Sequence, residues 1–204
     1  MPDGTLNELV NQGAYFVGYG TFVASEKLRT FLGISAALPY ELVFVNGRQR
    51  FLGVAGGKLE ETFSDGKLTK SDVGGITVKI AEGFRFNGVL YQVSDELVAR
   101  LDEAERALHY VRVSIAPKDI LTFDRNAPWQ GEDKPVFTYA ARSKFISPKG
   151  KITIVRRDIN PDPAFVKNFR AAALTRGETF RDAVDATTFL ADRKTPLTQY
   201  ALPQ

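Results

Sequence analysis

Residues 84–116 change hydrophobic period twice with almost no linker, which predicts a strand, a helix and a strand in direct succession. FRFNGVLYQV, residues 84–93, carries the aromatic and branched side chains that suit a strand. Ser94 then offers a helix N-cap, and Asp95 and Glu96 fill the first turn, where a helix favours negative charge. Leu97, Leu101, Ala104 and Leu108 recur at the spacing of one buried helical face over residues 95–108. YVRVSIA, residues 110–116, returns to alternation. Glu105 falls one turn after Leu101, at the rim of the apolar stripe, while Asp102, Glu103 and Arg106 point towards water. A half-buried carboxylate without an obvious cation beside it is raised in pKa, which suits a general base near neutral pH. Spacing alone favours a plainer assignment, a rim carboxylate paired with a lysine or arginine from elsewhere in the chain.

Ahead of this unit, AYFVG at 14–18 reads as a strand that runs into Tyr19-Gly20-Thr21-Phe22, where the glycines suggest a tight turn or a close backbone approach. SEKLRTFLG reads as a helix with Ser25 as cap and Gly33 as stop. ELVFV and RQRFLGV, joined by Asn46-Gly47, read as a type I′ hairpin. Residues 58–72 are polar and charged, a surface loop, and GITVKI at 75–80 is a further strand with Glu82-Gly83 as the turn after it. Beyond the central unit, KDILTF and KPVFTYAA continue the strand pattern, and KITIVR at 151–156 is a strand or an extended linker. Asp162 and Pro163 open a helix that stops near Gly177, TFRDAVDATTFLAD predicts a second helix, and the last ten residues read as a tail. Short strands early, with helices at the side and at the end, predict an α+β fold in one domain.

Composition narrows the chemistry. The 204 residues are 44% hydrophobic, enough for a sizeable core, with a formal net charge of +3 that argues mildly for an anionic ligand. No cysteine is present, so disulfides, thiolate metal sites and cysteine nucleophiles are excluded. The single histidine, His109, excludes an all-histidine metal site and reads as a solvated residue at a helix end. Lys144, Lys149, Lys151, Arg156 and Arg157 form a loose basic region that reads as solvated surface, so no nucleic-acid partner is expected. The N-terminus lacks a basic region followed by an apolar core, and no run approaches the length of a membrane span. No membrane partner is expected, and the location expected is cytoplasmic.

Several segments together resemble the γ-glutamylcyclotransferase-like superfamily. AYFVGYGTF resembles its opening signature, and FNGVLYQVSDELVARLDEAE its second, a glycine-containing strand entering a helix that ends in LDxxE. GGITVKIAEG resembles the strand and turn before that signature, YVRV the Tyr-x-Arg strand after it, and PDPAFVKNFRAAALTRG the closing helix. Order and spacing agree over residues 14–180, with 181–204 as an extension. The resemblance implies a small mixed β-barrel flanked by helices, with C-terminal helices and a cavity at one barrel end. It implies that the turn Tyr19, Gly20, Thr21 and Phe22 binds the α-amino-acid end of a small γ-glutamyl substrate. The side chains of Tyr19 and of Tyr110, on the strand after the Glu105 helix, fit a pocket role and a core tyrosine with a satisfied hydroxyl equally. Glu105 matches the family's catalytic carboxylate, which takes a proton from the substrate's α-ammonium group. The freed amine closes on the γ-carbonyl to give 5-oxoproline and a released amine or amino acid. The nucleophile belongs to the substrate, so neither a metal nor a cofactor is implied.

Three positions depart from the pattern. Phe22 stands where asparagine or leucine is frequent, Arg106 replaces a glycine after the catalytic glutamate and is expected to crowd or charge the mouth, and Phe165 stands where many members have tyrosine. Arg112 fits either a substrate carboxylate or, preferably, a solvated strand face. A free γ-glutamyl amino acid, glutathione, a γ-glutamyl amine and an acyl intermediate all fit as substrate. A binding domain that keeps the barrel without turnover is the alternative function. The sequence leaves the oligomeric state open.

Overall fold

Alternating apolar residues build most of the molecule as strands, and the apolar faces of these strands curl around one core. The computed structural model describes residues 13–58, 63–64, 67–68, 72–73, 75–142, 144–146 and 151–202. In chain order the strands are β1 (Ala14–Gly18), β2 (Tyr40–Lys58), β3 (Phe63–Ser64), β4 (Lys67–Leu68), β5 (Asp72–Val73), β6 (Gly75–Val93), β7 (Tyr110–Ile115), β8 (Ile120–Thr122), β9 (Val136–Ala141), β10 (Lys144–Ile146), β11 (Lys151–Val155), β12 (Asn160–Pro161) and β13 (Thr188–Phe189). The helices are α1 (Ser25–Leu32), α2 (Asp95–Ala107), α3 (Pro163–Leu174) and α4 (Glu178–Thr187). The order β10-β11-β2-β6-β1-β9-β7 runs across a nine-stranded mixed sheet, to which β8 and β13 add by pairing with β2. β1 is antiparallel to β6 and parallel to β9, which makes the sheet mixed. The result is the α+β, curled half-barrel flanked by helices that the sequence led us to expect.

The expected hairpin at Asn46-Gly47 is not formed. ELVFV and RQRFLGV belong to one strand, β2, and both halves pair antiparallel with β6: Tyr40–Asn46 with Arg85–Tyr91 and Arg48–Leu52 with Ile76–Ile80. The register slips between Asn46 and Arg48, where Gly47 (φ 71°) and Gly83 (φ 78°) both take left-handed backbone. A positive φ is required by a hairpin turn and by a bulged corner alike. Here the two long strands turn the corner together, and the bend curls the sheet. The polar stretch over 58–72 lies largely outside the described residues, apart from β3, β4 and β5.

Helix ends follow local chemistry with two corrections. Gly33 ends α1 in the left-handed conformation (φ 66°), Ser94 Oγ accepts from Leu97 N, and Asp162 Oδ1 accepts from Ala164 N with Pro163 in the first turn. Ser25, however, does not cap α1. Ala24 holds that position, and the Ser25 hydroxyl is engaged by the Arg176 guanidinium, which also donates to Val23 O and to the Tyr91 hydroxyl. The second C-terminal helix stops at Thr187, earlier than expected. Thr188 and Phe189 turn extended and pair in parallel with Arg50 and Phe51 of β2. The final segment is no loose tail, because Leu197 is fully buried and Arg170 donates to Leu197 O and Tyr200 O while pairing with Asp185 at 2.9 Å.

Arg50 explains where α4 ends. It is fully buried and donates to Thr188 Oγ1, Thr187 Oγ1, Val184 O, Asn87 O and Asn87 Oδ1 at 2.6–3.1 Å. Its guanidinium lies near the rings of Phe86 and Phe169, 5.6 and 5.5 Å from their centroids. Burial pulls its pKa down from the ordinary arginine value, and Asp185 opposes that pull. Carbonyls at a helix C-terminus carry partial negative charge and suit a cation. Its neighbours in sequence gave no sign of this role.

Candidate active site

A turn and a helix meet at one end of the core. The turn begins where β1 ends: Tyr19 is extended, and residues 20–23 form one turn of 3-10 helix. Gly20 has φ 66°, and a Cβ there would lie 2.8 Å from Ile76 Cγ2, so both backbone and space require glycine. Tyr19 donates its phenol proton to Tyr139 O at 2.5 Å, tying the turn to β9. The Phe22 ring packs 4.8 Å from Phe31 and 6.2 Å from Phe16, so the side chain that departs from the family pattern is held by aromatic contacts.

The helix contributes Glu105. The buried face of α2 consists of Val98, Leu101 and Glu105, whereas Leu108 is 53% exposed. The stripe is therefore rotated from the expected Leu97-Leu101-Ala104-Leu108 line, and Glu105 sits on it instead of at its rim. Only 6% of the residue is exposed. Among the described residues no hydrogen bond or ion pair reaches its carboxylate, so the plainer expectation of a paired rim carboxylate is not met. Burial lifts its pKa from 4.5 to about 7. Asp102, expected in water, instead accepts from the Tyr139 phenol at 2.7 Å and pairs with Arg112 at 3.2 Å.

Glu105 and the turn open into one cavity of about 360 Å³, lined by Tyr19, Gly20, Thr21, Phe22, Glu105 and Tyr110 together with Phe16, Val54, Gly75, Ile76, Leu108, Tyr139, Thr153 and Phe165. All six residues singled out from the sequence thus share one space. Tyr110 does not turn its proton towards Glu105. It donates to Ile76 O at 2.8 Å, so its oxygen is left as an acceptor. The phenols of Tyr19 and Tyr110 are pushed well up in pKa, first by burial and with a contribution from the Glu105 charge, so they remain protonated. Tyr139 is pushed up by burial and by its bond to Asp102. Arg106 is exposed and is not among the lining residues, so it does not crowd the cavity. Arg112 is likewise outside it, stacked over Phe137 at 5.3 Å. His109 is half-buried just past α2, in left-handed backbone (φ 67°) that reverses the chain into β7. Sequence reasoning missed Tyr139 and Thr153. Alternation along KPVFTYAA was the available signal for the first, and a lone hydroxyl in the apolar run KITIV for the second.

The curled mixed half-barrel and the four helices among the described residues make up the γ-glutamylcyclotransferase-like fold. Two solved structures share it. One is described as a gamma-glutamyl cyclotransferase, with a TM-score of 0.53 and 15% identity over 94% of each chain. The other is an uncharacterized protein from Homo sapiens, with a TM-score of 0.55 and 16% identity over 87% of this chain and 89% of that one. No family model matches the sequence, and no curated protein matches it. Among the described residues, no helix is long and apolar enough to cross a membrane.

Proposed function

We propose that this chain is a γ-glutamylcyclotransferase-like enzyme, closing a small γ-glutamyl compound to 5-oxoproline with release of an amine or amino acid. The observation that carries the reading is Glu105. It is a buried carboxylate raised to about 7 that shares a cavity with a glycine turn, and no described cation pairs with it. The turn at Tyr19–Phe22 holds the substrate's α-amino-acid end through backbone N–H groups. Glu105 takes a proton from the α-ammonium group, and the freed nitrogen attacks the γ-carbonyl of the same glutamyl unit. A tetrahedral intermediate forms, the γ-amide C–N bond breaks, and the lactam closes. Two protons leave the α-nitrogen in all, and both end on the departing nitrogen, so Glu105 finishes as it began. Holding the chain bent converts the attack into an intramolecular step, and the apolar walls strengthen the charge interactions within.

The test is 5-oxoproline, measured by mass spectrometry, from a panel of γ-glutamyl compounds with wild type and Glu105→Gln. Glutamine keeps the size but accepts no proton, so turnover should fall by ~10²-fold or more. An equally active Glu105→Gln would remove glutamate catalysis. Wild-type inactivity across the panel would favour a binding domain.

A further inference from the structure

We infer that the leaving group is a simple amine with an apolar body and no carboxylate, seated against Leu108 and Phe165 at the edge of the cavity. This deepens, and rests on, the cyclotransferase reading of the same site. Every γ-glutamyl substrate brings the same α-ammonium and α-carboxylate. What differs is the group on the γ-amide: an amino acid brings a second carboxylate, and a simple amine does not.

The described lining offers no cation to a second carboxylate, only the hydroxyls of Thr21 and Thr153. Its one charged side chain is Glu105, an anion when it serves as base, and it contains no lysine, arginine or histidine. The three phenols have already committed their protons to protein acceptors: Tyr19 to Tyr139 O, Tyr110 to Ile76 O and Tyr139 to Asp102. A second anion beside Glu105 would also favour its protonated form and take away the base. An unpaired charge against apolar walls is costly.

What the cavity does offer is apolar surface. Buried Phe16, Val54 and Ile76 line it, with half-buried Phe22 packed beside them. Leu108, just past the end of α2, lines it while 53% exposed, and half-buried Phe165 stands in the first turn of α3. These two side chains, one just past α2 and one on α3, form a partly wetted apolar lip. An aliphatic or aromatic amine covers that surface and releases its water.

The test is a pair of substrates that differ only in the carboxylate: γ-L-glutamyl-2-phenylethylamide and γ-L-glutamyl-L-phenylalanine, compared by kcat/KM for 5-oxoproline release. The amide should be preferred by about tenfold or more, the scale on which a pocket rejects an ill-matched group. Leu108→Lys, at a position exposed enough to accept it, should narrow that ratio at least about threefold by speeding the carboxylated partner. Equal or better turnover of γ-glutamyl-phenylalanine by wild type overturns the leaving-group inference and leaves cyclisation standing. An unchanged ratio in Leu108→Lys removes Leu108 from the leaving-group site. Absence of 5-oxoproline from both compounds and from glutathione overturns both readings.

Discussion

Asp102 and Glu105 stand three residues apart on α2 and meet opposite surroundings. Asp102 accepts a hydrogen bond from Tyr139 and pairs with Arg112, whereas burial alone sets the pKa of Glu105, at about 7. One helix thus carries a carboxylate satisfied by its neighbours and another kept ready for a proton. Because only ionised Glu105 accepts that proton, kcat/KM should rise with pH through about 7 and level off above it. A pH–rate profile that is flat from pH 5.5 to 8.5 would separate the chemistry from this group.

The same burial sets a stability profile. The folded pKa of Glu105 lies above its ordinary 4.5, so its contribution is fully present below 4.5 and is lost as pH rises through about 7. Glu105→Gln should match wild type near pH 4.5 and exceed it at pH 8 by up to about 3 kcal/mol. Urea unfolding at the two pH values measures the difference, and an offset independent of pH would contradict the linkage.

Much of this was legible because local chemistry and tertiary structure agreed. Ser94, Asp162 and Gly33 mark helix ends through bonds to their own neighbours, and Gly20 sits at a backbone bend the sequence already suggested. Where the deciding partner was distant, reading failed. Asn46-Gly47 satisfies a hairpin and a bulged corner equally, and only β6 chooses between them. Ser25 resembles a cap until Arg176 engages its hydroxyl from 151 positions away. Glu105 was placed on the correct helix, but its depth depended on how α2 rolls against the sheet, which periodicity fixes only to within a side chain.

At the turn, Gly20→Ala must adopt left-handed backbone and press against Ile76. We expect a loss of about 1–2 kcal/mol in stability and a rise in KM, because the displaced segment is the one proposed to hold the substrate's amino-acid end. Thermal melts and steady-state kinetics on one preparation test both, and unchanged KM would move substrate binding away from this turn.

Gly131 offers an optical test. A Cβ there would fall 1.8 Å from Trp129 Cζ2, so Gly131→Ala forces the indole out of its edge-on contact with Tyr15 at 4.9 Å. Trp129 is the single tryptophan and is 7% exposed, so its emission should shift to the red. An unshifted maximum would mean the loop absorbs the methyl group elsewhere.

Arg50→Met should destabilise the fold by about 3 kcal/mol or more, because Asn87 O and Val184 O lose donors in a dry interior. Arg50→Lys should recover only part of this, since an ammonium group cannot span five acceptors in a plane. Chemical denaturation of the three proteins checks the order.

The reach of Arg50 also imposes a sequence of events on biosynthesis. Thr188 lies 138 positions further along the chain, so β2 leaves the ribosome long before all the acceptors for its guanidinium exist. A nascent chain halted before Phe180 has nowhere dry to put that cation and should stay sensitive to protease. Completion of the half-barrel wall therefore waits on residues 180–188, which are translated long after β2.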